Sequence, residues 1–163
     1  MVTLVASSAL FFSVIYFASD VIEAAQGGFS DFQLALTLIA ELAVPFFVIA
    51  LYLVQRPAIG RLGLVSSIAY AYAYAFFSYT VIYALTQDVG DYEALSDDLG
   101  MSMFLHGVVM VLAGLGFGYA TIRARVLPAW TGVALIIGVV TVSATQGAPE
   151  GVQVVAAGIR ALA

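Results

Sequence analysis

The chain alternates between long apolar runs and short polar breaks. Five runs are long enough for a spanning helix, which takes about 20 mostly apolar residues at 1.5 Å rise each. They cover roughly residues 3–25, 32–54, 62–85, 101–122 and 128–145. The breaks between them are Gln26-Gly27-Gly28, Gln55-Arg56-Pro57, Thr86-Gln87-Asp88-Val89-Gly90 and Arg123-Ala124-Arg125, and Pro128 opens the fifth run. Gln146–Gly151 then interrupts the pattern. The last apolar stretch, 152–163, has about a dozen residues, or about 18 Å as a helix, too short for the ~30 Å hydrocarbon core. It reads as a short helix that folds back or begins a further span. The pattern predicts an all-α fold: one polytopic transmembrane bundle over residues 1–163, with five spans and a short C-terminal apolar helix.

The Tyr-Ala alternation of residues 69–75 resembles a strand, but the length of the run around it demands a helix in lipid. On a helix, Tyr72, Tyr79 and Tyr83 share one face, and Tyr70, Tyr74 and Phe77 another. Residues 2–18 lack a preceding basic region and form a long apolar run, so they read as a retained first helix rather than a cleaved signal. The link 87–100 is the only long one and has room for a helical turn with Asp91 as its cap.

Composition removes the alternatives to a membrane protein. Of 163 residues, 63% are hydrophobic and 9% charged. A soluble domain is nearer one-half apolar and one-quarter charged, and a disordered chain needs low hydropathy. There is no cysteine, which excludes disulfides, thiolate metal sites, iron–sulfur clusters and covalent haem. All five basic residues are arginines, so lysine Schiff-base chemistry is excluded. A net charge of −5 and the absence of a basic patch argue against nucleic-acid binding.

Charge placement sets an expected orientation. Arg56 and Arg61 lie between runs two and three, and Arg123 and Arg125 between runs four and five. The remaining links carry only acids: Asp31, then Asp88, Asp91, Glu93, Asp97 and Asp98. Arginine-rich links stay in the cytoplasm. The expected location is therefore the plasma membrane, with the N-terminus and arginine-bearing links cytoplasmic and Trp130 as an inner-interface anchor.

Polar residues inside the runs are costly in lipid and mark candidate sites. Asp20 and Glu23 lie near the outer end of the first run and Glu41 roughly 12 Å in on the second. Tyr79 and Tyr83 lie in the outer half of the third run. His106 lies about 8 Å in on the fourth, and Thr141 and Thr145 near the outer end of the fifth. These residues form one expected polar layer, with almost nothing comparable in the inner half. Glu41 is surrounded by apolar residues and precedes Pro45, which cannot donate to its carbonyl. It reads as a buried acid, serving either as a proton donor or as a bond between helices. His106 could take part in ligation, proton transfer or a plain hydrogen bond. Asp20 and Glu23 share a helix face, but no metal-binding spacing is present and no metal or cofactor is expected. Gly114 and Gly118 form a small-xxx-small pair, which brings helices close within the bundle or in a homo-oligomer. No hydrolase triad, phosphate loop, zinc-protease motif or dinucleotide fingerprint occurs.

Several runs carry a family likeness. They are Gln55-Arg56-Pro57 with Gly60-Arg61-Leu62-Gly63, Asp91-Tyr92-Glu93-Ala94-Leu95, His106-Gly107, and Arg123-Ala124-Arg125-Val126-Leu127-Pro128-Ala129-Trp130-Thr131-Gly132. The chain resembles uncharacterised bacterial, often actinobacterial, multi-pass membrane proteins. The resemblance implies a helical membrane fold and transfers no activity.

Three functions fit the sequence. The first is binding of a hydrophobic small molecule, membrane lipid or partner subunit by an outer-leaflet polar and aromatic pocket of His106, Tyr72, Tyr79, Tyr83 and Thr141. The second is an intramembrane enzyme for a lipid or isoprenoid, with Glu41, or Asp20 and Glu23, as general acid. The third is a small proton-coupled transporter using Glu41 and His106.

Overall fold

The computed structural model describes residues 2–145, with side chains described for 11–141, 143 and 144. Five helices and no strand form among the described residues: α1 (Val2–Gln26), α2 (Asp31–Val54), α3 (Gly60–Gln87), α4 (Tyr92–Ala124) and α5 (Ala129–Thr145). Three of them, α2, α3 and α4, are long and apolar enough to cross a membrane. That is a smaller claim than the five spans read from the sequence. α5 is apolar but has only 17 described residues, about 26 Å, which falls short of the ~30 Å core. The expected break at 146–151 and the short helix over 152–163 lie outside the described residues.

Local chemistry fixes the helix ends. Ser30 caps α2 through the Gln33 amide, with Asp31 in the first turn against the helix dipole. Asp91 caps α4, its carboxylate 2.8 Å from the Ala94 amide. The acidic link is therefore largely helix rather than a single turn. Gly100, at φ +45° and ψ −122°, interrupts α4 between this acidic stretch and the apolar remainder. A side chain at that φ is strained. α3 stops at Asp88, whose left-handed conformation turns its amide back to the Ala84 carbonyl. Pro45 lies inside α2 without ending it.

The helices pack in chain order: α1 on α2, α2 on α3, α3 on α4 and α4 on α5. No other pair packs closely among the described residues. The α1–α2 and α3–α4 links meet, with the Phe29 amide donating to the Gly90 carbonyl at 2.8 Å. They define an acidic end carrying Asp31, Asp88, Asp91, Glu93, Asp97 and Asp98. Arg56, Arg61, Arg123 and Arg125 mark the opposite end.

One apolar cluster, including Val48, Tyr70, Ala73, Met110, Phe117 and Val139, joins α2 to α5. A second, of Leu34, Val81, Ala84, Leu95 and Met103, lies toward the acidic end. The α4–α5 approach rests on glycine. A Cβ on Gly114 would stand 2.6 Å from Val139, and one on Gly118 would stand 2.8 Å from the Gly132 carbonyl. The small-residue pair is thus covered by α5 of the same chain. Large apolar side chains cover the outside, with Phe46 76% and Leu112 64% exposed. Such a surface suits lipid contact, not water.

Candidate functional site

The polar residues do not share one pocket. They divide among a seam between α1 and α2, a ledge on α3 and α4, and a cleft bounded by α2, α3, α4 and α5.

The seam follows from helix periodicity. Tyr16, Ser19 and Glu23 share one face of α1, and Gln33, Thr37 and Glu41 share one face of α2. The Tyr16 hydroxyl donates to Glu41 Oε1 at 2.9 Å. Gln33 Nε2 lies 3.0 Å from Ser19 Oγ, 3.1 Å from Thr37 Oγ1 and 3.1 Å from Glu23 Oε2. Two N–H groups thus serve three acceptors. Ser19 also donates to the Gln33 carbonyl and meets the Thr37 hydroxyl. Ser19 and Gln33 are fully buried, and Glu41 is 5% exposed. The seam brings Glu41 and Glu23 onto one interface, with Asp20 half-buried beside it on α1. Among the described residues α1 packs only on α2, so these bonds, with the Phe12–Phe47 ring contact, join it to the bundle.

The ledge contains the single histidine. His106 Nδ1 lies 2.8 Å from the Ser102 carbonyl, which only accepts, so Nδ1 carries the proton. In the neutral ring Nε2 is then the acceptor for the Tyr72 hydroxyl at 3.0 Å. Phe76 stacks on the imidazole at 3.6 Å and 7°. Tyr79 and Tyr83 stand 6.4 Å apart, ring to ring, and the Tyr83 hydroxyl reaches Asp98 at 3.5 Å. Tyr72 is 58% and Tyr79 50% exposed. These expected ligand residues therefore face out of the bundle. The hydrogen bonds of His106 go to Tyr72 and Ser102, not to a carboxylate. Thr141 sits half-buried toward the acidic end of α5. Among the described residues, no group of three or more acidic or histidine side chains could hold a metal.

The cleft has a volume of about 160 Å³. Leu51 and Gln55 of α2 form one side, and Thr131, Leu135 and Val139 of α5 the other. Tyr70 and Tyr74 of α3, with Met110, Phe117 and Thr121 of α4, make its floor. Its two sides do not pack on each other, so the cleft is the gap between α2 and α5. It runs from the arginine end toward mid-bundle, in the half where the sequence reading expected little polarity. Gln55 sits at the end of α2, fully buried, with Nε2 3.0 Å from the Leu51 carbonyl and 3.4 Å from Thr121 Oγ1. In the sequence Gln55 stands in a link, and nothing marks Thr121 or Thr131. Their signal was faint, since uncharged polar residues at a helix end are ordinary there.

No protein-family model, curated protein or solved structure matches this chain.

Proposed function

We propose that this chain is an integral membrane protein of five spans that binds a small hydrophobic molecule in the cleft between α2 and α5. The arginine end and the N-terminus face the cytoplasm. The observation that carries the reading is the cleft itself: mostly apolar, floored by two tyrosines and a phenylalanine, with a few polar groups at one end. Ligand pockets combine an apolar lining with sparse, placed polar groups.

Size narrows the ligand. An engineered cavity of about 150 Å³ accepts benzene, so a cleft of about 160 Å³ suits one ring rather than an isoprenoid chain. The placement of the acids supports binding over catalysis. Glu41 takes the Tyr16 hydroxyl and Glu23 the Gln33 amide, and neither lines the cleft.

The test is a fluorine NMR titration of fluorobenzene into the purified chain in detergent, with empty micelles as the baseline. The expected result is a saturable bound population that Leu135→Trp abolishes by filling the cleft. Partitioning identical to that of empty micelles would overturn the reading.

A further inference from the structure

We infer that the ligand of this cleft is a hydroxyl compound, a single-ring phenol or alcohol, whose O–H is held between Gln55 and Thr121. This rests on the cleft being a ligand site and goes on to name the chemistry of the ligand's polar end.

The inference starts from a buried carbonyl. Gln55 is fully buried, and its Oε1 has no hydrogen-bond partner among the described residues. The amide cannot simply be turned over, because that would set Oε1 against the Leu51 carbonyl, which now accepts from Nε2 at 3.0 Å. Buried polar side-chain atoms nearly always have a partner; Gln33 Oε1 also lacks one among the described residues, but Gln55 is the one that lines the cleft, where a partner can sit. Oε1 can only accept, so the missing group must donate.

Thr121 supplies the complement. The residue is 3% exposed and lines the same cleft, and its hydroxyl accepts from Gln55 Nε2. A threonine hydroxyl also has a proton to give. Gln55 and Thr121 thus lie side by side in the lining at the arginine end, one with an acceptor to satisfy and the other with a proton to give. A ligand hydroxyl answers both, because it donates one hydrogen bond and accepts another. An ether or quinone carbonyl cannot donate to Oε1. Toward mid-bundle the lining turns apolar and aromatic, with Tyr70 and Tyr74 rings 5.1 Å apart and Met110 and Val139 beyond. The ligand therefore lies with its hydroxyl toward the arginine end and its ring against Tyr70 and Tyr74.

The probes are 4-fluorophenol and 4-fluoroanisole, matched rings that differ in the donor. Each is titrated by fluorine NMR into the full chain in detergent, with its partition into empty micelles subtracted. One neutral hydrogen bond is worth about tenfold in affinity, so the phenol is expected to bind about tenfold more tightly. Gln55→Leu should bring the ratio to about one, whereas Thr121→Val, which removes a donor that both probes can accept from, should weaken both about threefold. Equal affinity of the two probes for the unaltered chain would overturn the hydroxyl assignment, because water alone would then suffice for Gln55. The cleft would still be a binding site. Saturable binding of neither probe would overturn both readings. A tenfold preference that persists in a Gln55→Leu protein with unchanged helicity and elution would overturn the role of Gln55. Should that variant not fold, Thr121→Val decides, and unchanged affinity of both probes there overturns the pairing.

Discussion

Gln33 belongs to α2, yet most of its side-chain bonds are with α1. Replacing it with leucine leaves Ser19, Thr37 and Glu23 without a shared donor. Buried partners stranded in this way cost about 1–3 kcal/mol, although interhelical bonds in membranes average nearer ~0.6 kcal/mol. Gln33→Leu is therefore expected to destabilise the bundle by about 1–2 kcal/mol, read from the unfolding midpoint in a denaturing-detergent titration. Glu41→Gln keeps an acceptor for Tyr16 and should shift the same midpoint by less than about 1 kcal/mol. A larger loss would show that Glu41 holds more than Tyr16. On the ledge, Tyr72→Phe removes the hydroxyl at His106 Nε2. It should move the Nε2 nitrogen resonance while changing stability by only about 0.6 kcal/mol. Glu41 and His106 were visible in the sequence because charge and imidazole stand out in an apolar run. Ser19, Gln33 and Thr37 were not, because uncharged polar residues stand out only once a common helix face is recognised.

The apolar runs located the helices closely, and α2 begins within one residue of its expected start. The main departure is α4, which starts at Tyr92 rather than near Met101. Asp91 caps the acidic segment into helix, and Gly100 lets it join the apolar part at an angle. Gly100→Ala places a Cβ on a φ of +45° and is expected to cost about 1–3 kcal/mol. Thermal melting of the purified chain measures this, and an unchanged midpoint would mean that the bend persists without glycine. The α4–α5 contact is similarly exacting. Gly118→Val sets a side chain against the Gly132 carbonyl and Ile136, and overpacking of this kind costs about 1–3 kcal/mol. Because α5 is one side of the cleft, ring binding should weaken together with stability.

Sequence could not show which helices are neighbours. Matching depths suggested that five spans point their polar groups into a single layer. The helices instead follow one another in a row, so polar groups at similar depth fall on different faces: Glu41 faces α1, while Tyr72 and His106 face outward. The same row leaves α2 and α5 apart and so creates the cleft. Orientation can be tested cleanly because the chain has no cysteine of its own. In intact cells, Ser96→Cys in the acidic segment should react with a membrane-impermeant maleimide. Val126→Cys at the arginine end should react only after permeabilisation. The reverse pattern would invert the proposed topology.

Occupancy of the cleft by a ring-sized ligand is tested most directly by cysteine protection. Thr131→Cys puts a thiol in the cleft, and Val133→Cys puts one on the outward face of the same helix, where Val133 is 44% exposed. Each variant, purified in detergent, is labelled with maleimide over a range of 4-fluorophenol concentrations. The expected result is saturable slowing at position 131 and none at 133. Equal labelling at both positions, unaffected by the phenol, would contradict a ligand site between α2 and α5.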